Sequence, residues 1–172
     1  MDLTRSPPTM LLPIDPGQWS PPVRGLHLDH IDFAPKPELH LTLIGSRLGR
    51  ELHATLAPAF LRAQLERALA KQDWRFTRSG RWLLLTQRTG NGHDAAAGAG
   101  WRGSIIEPVE LPAMRPFHAA LGLLLGRQLP VPRPHVTLYT AGDPRGIGLP
   151  RPSGLRAVTV RELDSTVLLR PP

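Results

Sequence analysis

Two stretches of this chain read alike: Glu38-Leu39-His40-Leu41-Thr42-Leu43-Ile44 and Arg133-Pro134-His135-Val136-Thr137-Leu138-Tyr139. Each runs apolar–His–x–Thr–apolar, and each is punctuated as strands are. Pro37 precedes and Gly45 follows the first; Pro134 precedes and Gly142 follows the second. Side chains on a strand alternate between its faces. His40 and Thr42 therefore share one face while Leu39, Leu41 and Leu43 take the other. His135 and Thr137 stand in the same way against Val136 and Leu138. Two residues along a strand advance about 6.6 Å, so the imidazole and hydroxyl of one pair can close on one small anion. Two such pairs facing each other would put two imidazoles and two hydroxyls around one phosphate.

A third triplet, His53-Ala54-Thr55, has different surroundings. Leu48, Leu52 and Leu56 recur every four residues, which is a helical stripe. On a helix, positions i and i+2 do not face the same way. His53 is therefore read as a helix-surface residue and left out of the site.

A lone His-x-Thr on a strand is an ordinary half-buried histidine. The duplication, with the same neighbours in the same order, is what resembles the 2H phosphoesterase family, also called LigT-like or 2'-5' RNA ligase-like, which is defined by two His-x-Thr/Ser motifs on separate strands. The motifs stand here as His40-Leu41-Thr42-Leu43 and His135-Val136-Thr137-Leu138. The resemblance covers the chain from about Arg24 onward. It implies an α+β fold of two pseudo-symmetric lobes, each an antiparallel sheet with outer helices, around a central cleft that takes one motif from each lobe. Residues 24–172 would form that single bilobal domain, as a monomer. It also implies the activity: opening of 2',3'-cyclic phosphates at RNA ends or on small cyclic nucleotides, without a cofactor. By the family pattern His40 is the general acid at the leaving ribose oxygen, His135 the base that activates water, and Thr42 and Thr137 hold the phosphate.

The chemistry of these side chains fits that expectation. An imidazole titrates near neutrality, so two of them can act as acid and base in one turnover. Threonine hydroxyls can donate to phosphoryl oxygens as charge builds there. The motifs bring no carboxylate or cysteine at ligand spacing, so no metal is assigned to them. The chain departs from RNA-acting bacterial members, which often carry an aromatic shortly after the first motif and an arginine shortly after the second. Here Ile44-Gly45-Ser46 follow the first, and no arginine follows the second until Arg145. Tyr139, four residues past His135 on a regular strand, would share its face and can stack a base; the plainer reading is a packed aromatic. Arg145 can hold phosphate; on its Gly-Pro turn the plainer reading is a solvated side chain. Two other functions stay open. One is a catalytically weak module of the same type that binds nucleotides or RNA ends. The other is a histidine-based metal hydrolase drawing on His27, Asp29 and His30 beside a motif histidine.

Composition sets outer bounds. A chain of 172 residues suits one domain. It has no cysteine, so disulfides and thiolate metal sites are excluded, which fits a cytoplasmic location. Met10-Leu11-Leu12 is broken at once by Pro13, and no run reaches the roughly 18 apolar residues of a membrane span. The formal charge of +7 draws phosphates. The basic residues are nearly all arginine and are spread along the chain, which argues against a long nucleic-acid track.

The remaining order follows from patterning. Residues 1–23, rich in proline, read as a loosely ordered or surface-draped arm. Leu26 to Phe33 reads as one strand. Ser46 to Lys71 turns helical, broken near Pro58. Trp74–Thr77 and Arg81–Gln87 read as a hairpin around Ser79-Gly80, and Arg88–Gly103 as a glycine-rich loop. Ser104–Glu107 is a strand, and Phe117–Leu129 a helix with His118 on its exposed flank. A terminal hairpin is expected over Leu155–Leu163 and Thr166–Leu169.

Overall fold

The switch from two-residue to four-residue periodicity after Gly45 has its structural counterpart in two short helices, α1 (Ser46–Thr55) and α2 (Pro58–Ala70). Pro58 opens α2, where its missing N–H costs nothing. Leu52, Leu61 and Leu65 turn inward, and His53 is exposed on α1, as its helical context requires. These assignments come from a computed structural model that describes residues 9–88, 101–149 and 158–164. A third helix, α3 (Met114–Leu124), buries Met114, Phe117, His118, Leu121 and Gly122, a stripe at steps of three and four. His118 is therefore not on the exposed flank. It occupies a core position of the stripe, one residue past Phe117, and is 2 % exposed.

Among the described residues nine strands accompany the helices: β1 (Met10–Pro13), β2 (Leu26–Leu28), β3 (Ile31–Pro35), β4 (His40–Ile44), β5 (Thr77–Arg78), β6 (Trp82–Arg88), β7 (Trp101–Glu110), β8 (His135–Ala141) and β9 (Thr159–Leu163). The chain is thus mixed, α+β, with antiparallel pairing throughout the registers described below. Among the described residues no helix is long and apolar enough to cross a membrane.

The chain divides into two compact units. The first comprises Met1–Leu12, Leu41–Thr77 and Glu110–Pro134, and holds α1, α2 and α3. Its core gathers Leu52, Leu61, Leu65, Met114 and Phe117. The Trp74 ring meets Phe117 edge-on at 5.3 Å, and its indole N–H donates to the Leu69 carbonyl. Burying one side chain the size of Phe117 contributes about 1.5–3 kcal/mol.

The second unit comprises Pro13–His40, Arg78–Val109 and His135–Pro172. Its described strands pair in the order β3-β8-β7-β6-β9. β7 runs for ten residues, beginning at Trp101, so the end of the stretch read as a glycine-rich loop is strand. Residues 89–100 of that stretch lie outside the described residues. The hairpin expected around Ser79-Gly80 does not form. β5 pairs with β7, the Ser79 N–H donating to the Pro108 carbonyl, while β6 lies between β7 and β9. A buried carboxylate explains the arrangement. Glu107, 0 % exposed, accepts from the Arg78 guanidinium at 3.0 and 2.8 Å, from the Gly80 N–H at 3.0 Å and from the Trp82 indole N–H at 3.0 Å. A buried charge is tolerated only when satisfied in this way.

Arg78 also lies over the Trp19 ring at 3.8 Å. Ile14 and Trp19 are buried, and the Ile14 N–H donates to the Leu39 carbonyl. The segment Met10–Trp19 is therefore packed into the fold rather than draped as an arm. Its apolar residues are few, but Met10, Ile14 and Trp19 are buried. The single strand expected over Leu26–Phe33 is instead the hairpin β2–β3, with Leu28 opposite Ile31. Asp29 and His30 make the two-residue turn with φ of 51° and 62°, the left-handed pair of a type I′ turn. Of the terminal hairpin, β9 is present and pairs with β6; Thr166–Leu169 lie outside the described residues.

Candidate active site

The first triplet stands on β4 as its alternation requires. Leu41 and Leu43 are buried, His40 is half-buried and Thr42 is exposed. Leu43 is held from behind: the buried His118 ring of α3 donates its Nε2 hydrogen to the Leu43 carbonyl at 2.9 Å. The sequence reading missed this contact. Its signal was a histidine inside an apolar helical stripe.

His40 belongs with His135 to the second unit. Burial lowers the His40 pKa below the ordinary 6.5. The Lys36 ammonium pushes it the same way, Glu38 pulls against it, and the His135 ring adds a smaller push downward. The His135 ring is thus close enough for its charge to act on His40.

The second triplet stands on β8. Opposed residues of an antiparallel pair point to the same face of the sheet. His135 opposes Pro108, Thr137 opposes Ile106, and Thr140 opposes Ser104. All three therefore share one face. Leu138 is an extra residue there, because Ile105 and Ile106 oppose Tyr139 and Thr137, a β-bulge. The bulge turns Tyr139 to the other face, with Ile105. The expectation that Tyr139 shares the face of His135 fails for this reason, since it assumed a regular strand. Tyr139 is buried, and burial raises its phenol pKa above 10.0.

The loop after β8 lies against the histidine-bearing face. The Ile147 N–H donates to the Ser104 hydroxyl at 2.6 Å, and Ile147 packs with Leu85, Ile106 and Val158. Gly146 (φ +73°) fits only because it lacks a side chain. A Cβ there would stand 2.7 Å from Ser104 Oγ, 2.9 Å from Thr140 Cγ2 and 3.5 Å from Thr137 Cγ2. Gly148 passes the His135 ring so closely that a Cβ would be 3.3 Å from Nε2. Lys36 anchors the same loop by donating from Nζ to the Pro144 carbonyl. Lys36, Ser104, Gly146 and Gly148 were not singled out from the sequence. Their roles come from strand pairing over a long separation.

Arg145 is exposed on that loop, and its guanidinium is engaged by Asp143 at 3.2 and 3.1 Å, which raises its pKa and lowers that of Asp143. Of the group considered for a metal, His27 Nδ1 is 2.7 Å from Asp32 Oδ1, and Asp29 pairs with Arg161. The His27 and His30 rings meet edge-on at 6.4 Å. Among the described residues, no three or more His, Asp or Glu side chains gather as a metal site requires.

Comparison of the chain with protein-family models, with curated proteins and with solved structures gives no match in any of the three.

Proposed function

We propose that the chain is a metal-independent phosphodiesterase that opens 2',3'-cyclic phosphates of RNA ends or small nucleotides by two-histidine acid–base catalysis. One observation carries the reading: His40 and His135, from two copies of one strand motif, lie near enough that the charge of His135 acts on His40. The pseudo-symmetric bilobal arrangement of the 2H phosphoesterases, a monomeric state and a cytoplasmic location belong to the same proposal.

In this reading one imidazole takes a proton from water as its oxygen attacks phosphorus. The bond from phosphorus to one ribose oxygen breaks, and the other imidazole protonates that oxygen, leaving a phosphomonoester. Thr137, on the face of His135, donates to a non-bridging oxygen, and Thr42 does so from the face of His40. The resemblance made His40 the acid. Its lowered pKa favours the reverse, with His40 entering as the neutral base, although a bound phosphate anion would draw a proton back to it. Tyr139 is left out of substrate contact, and Arg145 would reach phosphate only by leaving Asp143.

The test is hydrolysis of 2',3'-cyclic nucleotides and of a short RNA ending in a cyclic phosphate, with chelator present. We expect turnover by the wild type, a loss of at least about 100-fold in His40→Ala and in His135→Ala, and near-normal rates in His53→Ala. Activity abolished by chelator, or dependent on His53, overturns the assignment. Binding of these substrates without turnover would favour the weak binding module instead.

A further inference from the structure

A cyclic phosphodiester brings one negative charge to the histidine-bearing face, and imidazoles and hydroxyls meet it with no fixed positive charge. The arginines near the loop after β8 are engaged elsewhere: Arg145 and Arg102 both pair with Asp143, at 3.1 and 3.6 Å. Lys36 is the cation that strand pairing brings to this face. Pro35 opposes Tyr139 and Ala34 opposes Thr140. Ala34 therefore shares the face of Thr140 and His135, and Pro35 the opposite one. Lys36 continues the pairing by donating its N–H to the Leu138 carbonyl at 2.8 Å. Alternation returns its side chain to the face of His135. A contact independent of register agrees. The Lys36 ammonium donates to the Pro144 carbonyl at 3.0 Å, and the loop carrying Pro144 crosses that same face, where the Ile147 N–H reaches Ser104 Oγ.

An ammonium has three hydrogens. One goes to Pro144, so two remain for an anion. Lys36 is half-buried, and salt screens such a charge less than a fully exposed one. Its field reaches His40, whose neutral form it favours together with burial and His135, and against Glu38. We propose that Lys36 binds the substrate phosphate: its ammonium, tethered to Pro144 on the face of His135, donates to a non-bridging phosphoryl oxygen and supplies the positive charge that the His-x-Thr pairs lack. A lysine suits the task as a compact point charge on a flexible stem, able to hold the loop and the phosphate together. The phosphomonoester product carries more charge than the cyclic diester, so Lys36 holds the product more tightly than the substrate. The assignment rests on the phosphodiesterase reading for where the phosphate lies, and it adds to that site a residue outside both motifs.

The experiment is calorimetric titration of the full chain, as wild type, Lys36→Gln and Lys36→Arg, with adenosine 2'-monophosphate and adenosine 3'-monophosphate. Both are products of the proposed reaction, so binding is read without turnover. Glutamine can still donate to the Pro144 carbonyl but has no charge, while arginine keeps the charge. We expect Lys36→Gln to weaken at least one monophosphate by about tenfold, as for loss of a hydrogen bond to a charged group. Lys36→Arg should bind it better than Lys36→Gln does. A second readout is the NMR titration of the His40 ring, identified by its loss in His40→Gln. Its pKa should rise in Lys36→Gln, where Glu38 and His135 still face it, and stay near the wild-type value in Lys36→Arg. A lysine that only tethered the loop would leave both quantities unmoved in Lys36→Gln. The proposal is overturned if neither monophosphate binds wild type at millimolar concentration, or if Lys36→Gln binds as wild type does. It is also overturned if Lys36→Arg binds no better than Lys36→Gln, or if the His40 titration does not move in Lys36→Gln. The phosphodiesterase reading fails separately. Weakened monophosphate binding in Lys36→Gln, with no hydrolysis of cyclic substrates by wild type, would keep Lys36 as a phosphate-binding residue and remove the catalysis.

Discussion

His40 sits half-buried, and burial first, then Lys36 and His135, favour its neutral form and outweigh the opposite pull of Glu38. The consequence for stability has a definite sign. The unfolded imidazole takes a proton near 6.5, while the folded one resists until lower pH. The unfolded state therefore binds more protons in between, and stability falls as pH drops below about 6.5. Urea midpoints between pH 7.5 and 5.5 should fall less in His40→Gln than in wild type; equal slopes would mean that His40 does not carry the effect. The same shift orients the chemistry. If His40 is the base, kcat/KM rises with pH through a value below 6.5; if it is the acid, kcat/KM declines there. At this scale the motif histidines and threonines were readable because their spacing is local. Tyr139 was not, because its direction depends on where β7 forces the bulge at Leu138.

Two turns beside strands place a glycine at positive φ. β8 stops at Gly142, with φ +74°, where a Cβ would stand 2.3 Å from the Trp101 carbonyl. Gly80 has a similar φ of +70° but nothing within 4 Å. The two positions separate conformational strain from collision. Gly80→Ala should cost about 1–2 kcal/mol, the left-handed penalty alone. Gly142→Ala adds displacement of the Trp101 backbone and should cost about 3 kcal/mol or more. Urea denaturation of both variants measures the difference, and equal losses would mean that the Trp101 backbone yields freely. Helices α1 and α2 and strands β4 and β8 were legible because each depends on a run of its own residues. The β2–β3 turn was not, because Asp29-His30 lacks the Asn-Gly or Asp-Gly signal of a type I′ turn. The buried place of His118 was hidden for another reason. A polar residue inside an apolar stripe reads as a flank until its partner, here the Leu43 carbonyl 75 residues away, is known.

Over the whole molecule, many of the arginines are already tied to carboxylates. Arg75, Arg78, Arg81, Arg102, Arg127, Arg145 and Arg161 each pair with a carboxylate. A pair of this kind offers little to a passing phosphate, since binding there would first expose the carboxylate. Proteins that track a nucleic-acid backbone neutralise many phosphates at once, and their affinity falls steeply with salt. Dispersed, paired arginines predict the reverse: recognition confined to an end or a single nucleotide, with the backbone contributing little. RNAs of 5 and 20 nucleotides bearing the same 2',3'-cyclic phosphate should therefore bind His135→Ala with affinities within about threefold. The slope of log affinity against log salt should correspond to about two phosphates or fewer on the single-strand scale. Fluorescence anisotropy across a salt series measures both quantities. An affinity that climbs with RNA length, with a slope of many phosphates, would show that the arginines form a track, and the substrate would then have to be sought among long RNAs rather than at their ends.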